Sequence, residues 1–154
     1  MKERAVQRQA YRLVEMERWC KIRKMPIVQH PKFYPADPSL AHRVLLAAIK
    51  ENGYDSRSVW EFARRGSETV WARDEDISDG ETIRKIAKAS GLHGTRLLKR
   101  AKEDNYIVEQ EKYLTLEAES RQVFGARFYF YGDEPFWGQD RLEILEDVIR
   151  RNRS

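Results

Sequence analysis

The side chains most often used for catalysis or metal binding are sparse in this sequence. The three histidines, His30, His42 and His93, stand far apart, and with the lone Cys20 they give no metal-ligand spacing. We interpret them as solvated or loop histidines. Cys20 falls on the apolar side of the first predicted helix, which favours a buried, inert thiol over a nucleophile. No metal ligand and no catalytic residue is therefore assigned.

A better candidate for chemistry lies near the end of the sequence, where Gly138, Gln139 and Asp140 precede the last predicted helix. The first backbone N–H groups of a helix lack partners within the helix, and the positive end of the helix dipole favours an anion. We predict a carboxylate site there. Glu134 and Asp140 flank this region, but acids at turns and helix starts are common and do not by themselves indicate catalysis.

The element that must position this site is a β-hairpin, the one convincing β signal in the sequence. Phe128 to Tyr131 are four consecutive aromatic residues, and successive strand side chains point to opposite faces. Both faces of the strand are therefore apolar, and we expect helices to cover both. Gly132 and Asp133 provide turn chemistry, and Phe136-Trp137 the short return strand.

The remaining sequence predicts helices. One covers residues 2–23, five follow between Ser39 and residue 121, and one follows Asp140. Ser39 and Asp79 are the expected N-caps of the second and fourth helices. Gly66, inside the third helix, indicates a close contact between helices. No linker, internal repeat or low-complexity tract interrupts the pattern, so residues 1–154 are predicted to form a single domain, mainly α-helical with a small β-hairpin.

The bulk composition describes a charged protein of one domain. The chain has 154 residues, of which 41% are hydrophobic and 35% charged. No apolar run approaches the roughly 20 residues that span a bilayer, and the first residues lack the apolar stretch of a secretory signal. The single cysteine excludes an internal disulfide framework and is typical of a reducing compartment. These features predict a cytoplasmic protein without a membrane partner.

A nucleic-acid partner is the weakest of the hypotheses. The formal net charge of +4 raises the possibility, but the basic residues alternate with acids. The most basic patch, Lys21, Arg23 and Lys24, is typical of a solvated helix face. No helix-turn-helix, zinc-finger or RNA-binding signature accompanies the charge.

Four blocks of the sequence resemble one known family. They are Phe33–Ala48, Val70–Ile77, Val123–Ala126 and Phe136–Leu142. Their order and spacing are similar to those of 2-hydroxychromene-2-carboxylate isomerases, which are relatives of kappa-class glutathione transferases and DsbA-like oxidoreductases. The Phe-Trp-Gly-Gln-Asp-Arg run is the most specific of the four. The resemblance covers nearly the whole chain but only about the last three-quarters of a family member.

The resemblance implies a thioredoxin-like fold with a helical insertion. The insertion would occupy about residues 1–121, and the C-terminal hairpin and helix of the thioredoxin-like part about 122–151. The implied activity is the glutathione-dependent isomerisation of an intermediate of aromatic catabolism. Glutathione is then the implied cofactor and a small aromatic molecule the substrate, and a homo-oligomer is expected.

The resemblance also assigns a glutathione site to particular residues. Gly125, Ala126 and Arg127 would present backbone groups to the cysteinyl part of glutathione. Gln139 and Asp140 would hold its γ-glutamyl end, with the carboxylate on helix N–H groups and the ammonium on the Asp140 carboxylate. This assignment agrees with the anion site predicted above.

Two departures from the family pattern carry expectations of their own. The family begins with a strand and helix bearing the serine that activates the glutathione thiol, and this chain starts after that segment. We therefore expect the catalytic part to be missing. The family also has a cis-proline where this sequence has Arg127. Because a cis bond before a non-proline residue costs about 2.5–4 kcal/mol, we expect the Ala126–Arg127 bond to be trans.

A different class of function remains open. Without the strands of the missing segment, the aromatic strand 128–131 would leave an apolar edge. The alternative is a non-catalytic helical module that pairs through this hairpin edge, either with a second copy or with a chain that supplies the missing strands.

Overall fold

A computed structural model describes residues 5–153 of the chain. Within these residues the order of elements is α1 (Val6–Arg23), α2 (Ser39–Asn52), α3 (Arg57–Trp71), α4 (Gly80–Ala89), α5 (Gly94–Glu103), α6 (Asn105–Ser120), β1 (Phe128–Tyr131), β2 (Glu134–Trp137), a 3-10 turn (Gln139–Arg141) and α7 (Leu142–Arg151). The mainly helical architecture with one hairpin is confirmed. Residues 2–4 of the first predicted helix lie outside the described part. None of the described helices is long and apolar enough to cross a membrane.

The chain forms two compact units, one ending at Glu111 and one beginning at Lys112. The boundary falls inside α6, so this helix contributes to both units. The prediction of a single domain over residues 1–154, with an internal boundary near residue 121, stays a prediction.

The first unit has a well-packed core, in which α2 packs against α3 and α5, and α4 packs against the same two helices. Small residues at Ala47 and Ala48 of α2 are completely buried, which allows neighbouring helices to approach closely. Ile83, Leu97 and Ile107 fill the interior between them. Burial of such aliphatic side chains contributes about 1.5–3 kcal/mol each, so this unit has a core of its own.

A polar clamp ties the end of α2 to α5. Glu51 accepts hydrogen bonds from Arg96 (2.7 Å) and Arg100 (2.9 Å), and Arg100 also binds Asp104 (2.8 Å). Burial alone raises the pKa of Glu51, but the hydrogen bonds from Arg100 and Arg96 outweigh it and lower that pKa. The hydrogen bond from Arg100 is the main reason that the pKa of Asp104 is lowered as well. Both carboxylates are therefore held in the charged form.

One of the two predicted N-caps is confirmed and the other is wrong. The Asp79 carboxylate accepts a hydrogen bond from the backbone N–H of Thr82 at 2.9 Å, as an N-cap does. Ser39 is instead the first residue of α2, and Pro38 occupies the N-cap position without a side-chain bond. The Asp37 carboxylate binds both the N–H and the hydroxyl of Ser39, so a local aspartate turn replaces the expected serine cap.

Helix α1 forms as predicted, but its apolar positions are only partly covered. None of its residues is buried, and Val6, Tyr11 and Ile22 are largely exposed. The prediction of a buried Cys20 is therefore wrong: the residue is half-buried and its thiol donates to the carbonyl oxygen of Met25 (2.7 Å). The helical spacing of the apolar residues correctly predicted this helix, because that signal is local. It gave no information on which other element would cover those apolar residues.

The hairpin forms around the predicted turn, and the structure supplies its register. Phe128 lies opposite Trp137 and Tyr131 opposite Glu134, which leaves Gly132 and Asp133 as a two-residue turn. The expected cover on both faces is incomplete, because all four β1 residues are only half-buried. In β2, by contrast, Phe136 is buried, with 5% of its surface exposed.

Gly66 does not mark a close helix contact, contrary to the sequence-based expectation. A Cβ added there would meet nothing within 4 Å. The residue instead borders an apolar hollow of about 300 Å³ between α2 and α3. Gly94, at the start of α5, is the glycine that does permit close packing, since its added Cβ would lie 2.7 Å from the carbonyl oxygen of Arg84.

The two glycines give a matched test of this packing. We expect Gly66→Ala to raise the free energy of unfolding by about 0.5–1 kcal/mol, because alanine is the better helix former and has room. Gly94→Ala should lower it by about 1–3 kcal/mol, because backbone atoms must shift. Urea unfolding of both variants measures these changes in the free energy of unfolding. Equal changes in the two variants would contradict the packing described.

The polar clamp predicts a loss of stability in acid. The folded-state pKa values of Glu51 and Asp104 lie below their ordinary values of 4.5 and 3.8. The two carboxylates therefore contribute to the free energy of unfolding at pH values above those ordinary pKa values. This contribution is lost as the pH falls through the lowered folded-state pKa values. We expect Glu51→Gln to lower the free energy of unfolding by about 1 kcal/mol at pH 7. The difference in this free energy between the variant and the wild type should become smaller toward pH 3. Urea unfolding at both pH values measures this, with Glu119→Gln as an exposed control that changes little at either pH.

Candidate functional site

The two halves of the predicted site meet at one end of the hairpin. Arg127 immediately precedes β1 and Gly138 immediately follows β2, and the register places these two positions opposite each other. The backbone N–H of Gly138 donates a hydrogen bond to the carbonyl oxygen of Arg127 at 3.0 Å. This bond continues the ladder of the hairpin by one step and brings the 125–127 loop beside the start of the last helix.

The predicted residues differ in exposure. Gly125 is half-buried, whereas Ala126, Arg127, Gln139 and Asp140 are exposed. The last four residues are therefore in contact with solvent. An arrangement of this kind can bind a small polar molecule without any opening movement of the hairpin.

The peptide bond between Ala126 and Arg127 is cis. The prediction of a trans bond is therefore wrong. That prediction considered only the intrinsic preference of a non-proline peptide bond. It left out the contacts that fix this loop in the fold, such as the bond from Gly138 to Arg127, which sequence spacing does not reveal.

Trp137 is a member of the site that the sequence reasoning missed. A Cβ added to Gly125 would lie 3.3 Å from the indole Nε1 of Trp137, so the glycine lets the indole edge approach the loop. The Trp137 ring also packs against Phe124, with ring centroids 4.9 Å apart. Its position in the specific Phe-Trp-Gly-Gln-Asp-Arg run was the signal available in the sequence.

The anion site predicted at the start of the last helix stays a prediction. A 3-10 turn at Gln139–Arg141 leads into α7, and no side chain caps this turn. The N–H of Arg141 donates to the carbonyl oxygen of Gly138 at 3.3 Å. The Asp140 carboxylate forms an ion pair with Arg141 at 2.7 Å. Both side chains are exposed, and such pairs contribute about 0–1 kcal/mol. A ligand ammonium can therefore compete for Asp140 at low cost.

Among residues 5–153, no group of three or more histidine, cysteine, aspartate or glutamate residues is placed to hold a metal ion. His30, His42 and His93 are all exposed and lie outside the two halves of the site.

Comparisons with known proteins agree with the fold. The sequence profile described as DSBA-like thioredoxin domain matches residues 1–150. The 2-hydroxychromene-2-carboxylate isomerase of Sphingobium xenophagum is 28% identical over 137 residues, which are 89% of this chain and 66% of the relative.

A solved structure of a 2-hydroxychromene-2-carboxylate isomerase superposes with a TM-score of 0.72 at 24% identity, covering 93% of this chain and 66% of that one. This likeness shows the fold. The chain spans just under two thirds of the length of both relatives.

The glycine at position 138 tests how the site is built. Its φ of 103° and ψ of 155° lie in a region that is essentially restricted to glycine. We expect Gly138→Ala to lower the free energy of unfolding by about 1–2 kcal/mol. The rate of hydrogen exchange of the β1 amides should then rise about tenfold or more. Gly132→Asn is the matched control, because its φ of 59° suits asparagine and the added side chain has space. Equal exchange rates in the two variants would contradict this account.

Proposed function

The chain belongs to the family of DSBA-like thioredoxin domains, and from this we propose that it binds glutathione at the hairpin end and is a glutathione-dependent isomerase-like protein of aromatic catabolism. The observation that carries the proposal is the hydrogen bond from Gly138 to Arg127. It joins the loop that carries the exposed residues Ala126 and Arg127 to the start of the last helix, where backbone N–H groups suit a carboxylate.

The charges of the site match the γ-glutamyl end of glutathione. That end carries a carboxylate and an ammonium on one carbon atom. The N–H groups at Gln139 and Asp140 suit the carboxylate, because they lie at the start of α7 where the helix dipole is positive. The exposed Asp140 carboxylate suits the ammonium. A single short turn therefore offers complementary partners to both charges.

The loop offers partners to the rest of the peptide. Gly125, Ala126 and Arg127 lie beside this turn, and their backbone groups can pair with the cysteinyl part of glutathione. The Trp137 indole, next to Gly125, supplies an aromatic wall for the thiol end. The main-chain groups fit a peptide ligand, since peptide N–H and C=O groups bond most readily to others of their kind.

A named relative supports the proposed reaction, and the cysteine content supports the proposed compartment. The relative from Sphingobium xenophagum is named as a 2-hydroxychromene-2-carboxylate isomerase, so a small aromatic substrate is the corresponding proposal for this chain. A cytoplasmic location fits a protein with one cysteine, since reducing compartments keep such thiols free. No residue of this chain is assigned as the catalytic group.

Isothermal titration with reduced glutathione tests the proposal. We expect binding by the wild-type protein and a loss of affinity of about tenfold with Asp140→Asn, which removes the partner of the ligand ammonium. Asp133→Asn is the matched control: it removes the same charge from an exposed position in the hairpin turn, so affinity should stay within about twofold.

Two results would contradict the proposal. One is the absence of heat at millimolar glutathione while circular dichroism shows the folded protein. The other is binding that Asp140→Asn and Asp133→Asn weaken equally, since that would indicate general charge attraction instead of the assigned site.

A further inference from the structure

An apolar hollow lies between α2 and α3, within the first unit. It measures about 300 Å³ and is lined by side chains of both helices together with Ile77 of the loop that follows α3. Ligand pockets in proteins measure about 300–1,000 Å³, so this hollow is at the small end of that range. Its size suits a molecule of one or two rings.

The hollow exists because α3 presents small residues to it. Ala63 and Gly66 lie about one helical turn apart, and both line the hollow. A Cβ added to Gly66 would meet no atom within 4 Å. The space between the two helices therefore results from the size of the residues on the helices themselves.

The lining of the hollow contains no Asp, Glu, Lys or Arg side chain. Phe62 is 2% exposed, and Val70 and Ile77 are buried as well. A larger hollow of the same unit, about 710 Å³, differs in that seven of its lining residues are charged. Water binds well beside charges and poorly against apolar side chains, and displacing poorly bound water by an apolar group increases affinity. The smaller hollow is therefore the one that suits an apolar ligand.

Two aromatic side chains, Phe62 and Trp71, line the hollow. The Trp71 ring packs against Tyr34, with ring centroids 4.7 Å apart. The Trp71 carbonyl oxygen also accepts a hydrogen bond from the N–H of Val28 at 2.7 Å. These contacts fix the tryptophan before a ligand arrives, which reduces the entropy lost on binding. Aromatic side chains favour an aromatic ligand, since pairs of rings attract each other beyond the effect of the area that they bury.

Two polar side chains stand at the mouth of the hollow. His42 and Ser67 both line it, and both are exposed. The Ser67 hydroxyl donates to the carbonyl oxygen of Ala63 at 3.0 Å, so the hydroxyl oxygen can still accept a hydrogen bond. A ligand with one hydroxyl group can therefore bond at the mouth while its rings contact the apolar lining.

The charges near this mouth do not favour an anion. The pKa of Asp37 is lowered first by the hydrogen bonds from Ser39 and then by the charges of Arg43 and His42. A carboxylate thus already lies near His42, and Arg43 pairs with Glu111 at 3.0 Å. An anionic ligand would gain little from these groups and would place its charge against apolar side chains, which is unfavourable.

We propose that the hollow between α2 and α3 binds a small, neutral aromatic molecule of one or two rings, with a hydroxyl group at the His42 and Ser67 end. All the residues that carry this proposal belong to the first unit, and the proposal does not depend on glutathione binding. For a ligand of about ten non-hydrogen atoms we expect a dissociation constant on the order of 0.1–1 mM.

Nuclear magnetic resonance of the wild-type protein with 2-naphthol tests where the ligand binds. The probe is neutral at pH 7. We expect nuclear Overhauser effects between its ring protons and the methyl groups of Leu45 and Ile77, which line the hollow. The methyl groups of Ile83 and Leu97, which are buried in the core and do not line the hollow, should give none.

Two substitutions of one glycine provide a matched pair. Gly66→Leu places a bulky side chain at the hollow, and we expect it to raise the dissociation constant of 2-naphthol at least about tenfold. Gly66→Ala removes the same backbone freedom but adds a single methyl group, so this constant should stay within about twofold of the wild-type value. Isothermal titration measures both constants.

Two analogues of the probe test the class of ligand. 2-Naphthoate has the same rings with a carboxylate in place of the hydroxyl group, and it should bind at least about tenfold more weakly than 2-naphthol. Decahydro-2-naphthol keeps the hydroxyl group but is saturated and non-planar, and it should bind at least about threefold more weakly.

Several results would overturn the proposal. They are the absence of contacts between the probe and Leu45 or Ile77 at millimolar 2-naphthol, equal affinities of Gly66→Leu and Gly66→Ala, and binding of either analogue as tight as that of 2-naphthol. Methyl signals of the hollow that shift with protein concentration in the absence of the probe would indicate a second copy there and would also contradict it. Circular dichroism checks that each variant is folded, and the contacts in the wild-type protein test the site even if a variant is not.

Discussion

The hydrogen bond from the N–H of Gly138 to the carbonyl oxygen of Arg127 is the constraint on which the candidate site depends. It closes the hairpin one residue beyond its last strand pair. In doing so it fixes the 125–127 loop beside the turn that starts α7. The glutathione proposal depends on this placement of the loop.

The two units of the chain are stabilised in different ways. The first buries aliphatic side chains between α2 and α5 and adds a charged clamp around Glu51. The second has little buried surface: Phe136 is buried, whereas Phe124 and Trp137 stay largely exposed. A unit with so small a core is held mainly by its strand ladder and its aromatic contacts.

The sequence predicted most of what local patterns determine, with the start of α2 as an exception, since Asp37 binds Ser39 where a serine cap was expected. The aromatic run at Phe128–Tyr131 and the turn residues Gly132 and Asp133 correctly predicted the hairpin. Asp79 was correctly predicted as a helix N-cap. Predictions that depended on tertiary neighbours were wrong: the burial of Cys20, the close contact at Gly66 and the trans bond before Arg127. Of the candidate site, the sequence located both segments, but it could not place Trp137 against Gly125, because that contact requires the strand register.

Backbone nuclear magnetic resonance during a glutathione titration tests the central claim most directly, since it reports on each amide separately. The account predicts that the amide signals of residues 125–127 and 138–141 shift together with one dissociation constant, while those of α2 to α5 remain in place. Shifts confined to the helices of the first unit, or no shifts at millimolar glutathione, would contradict it.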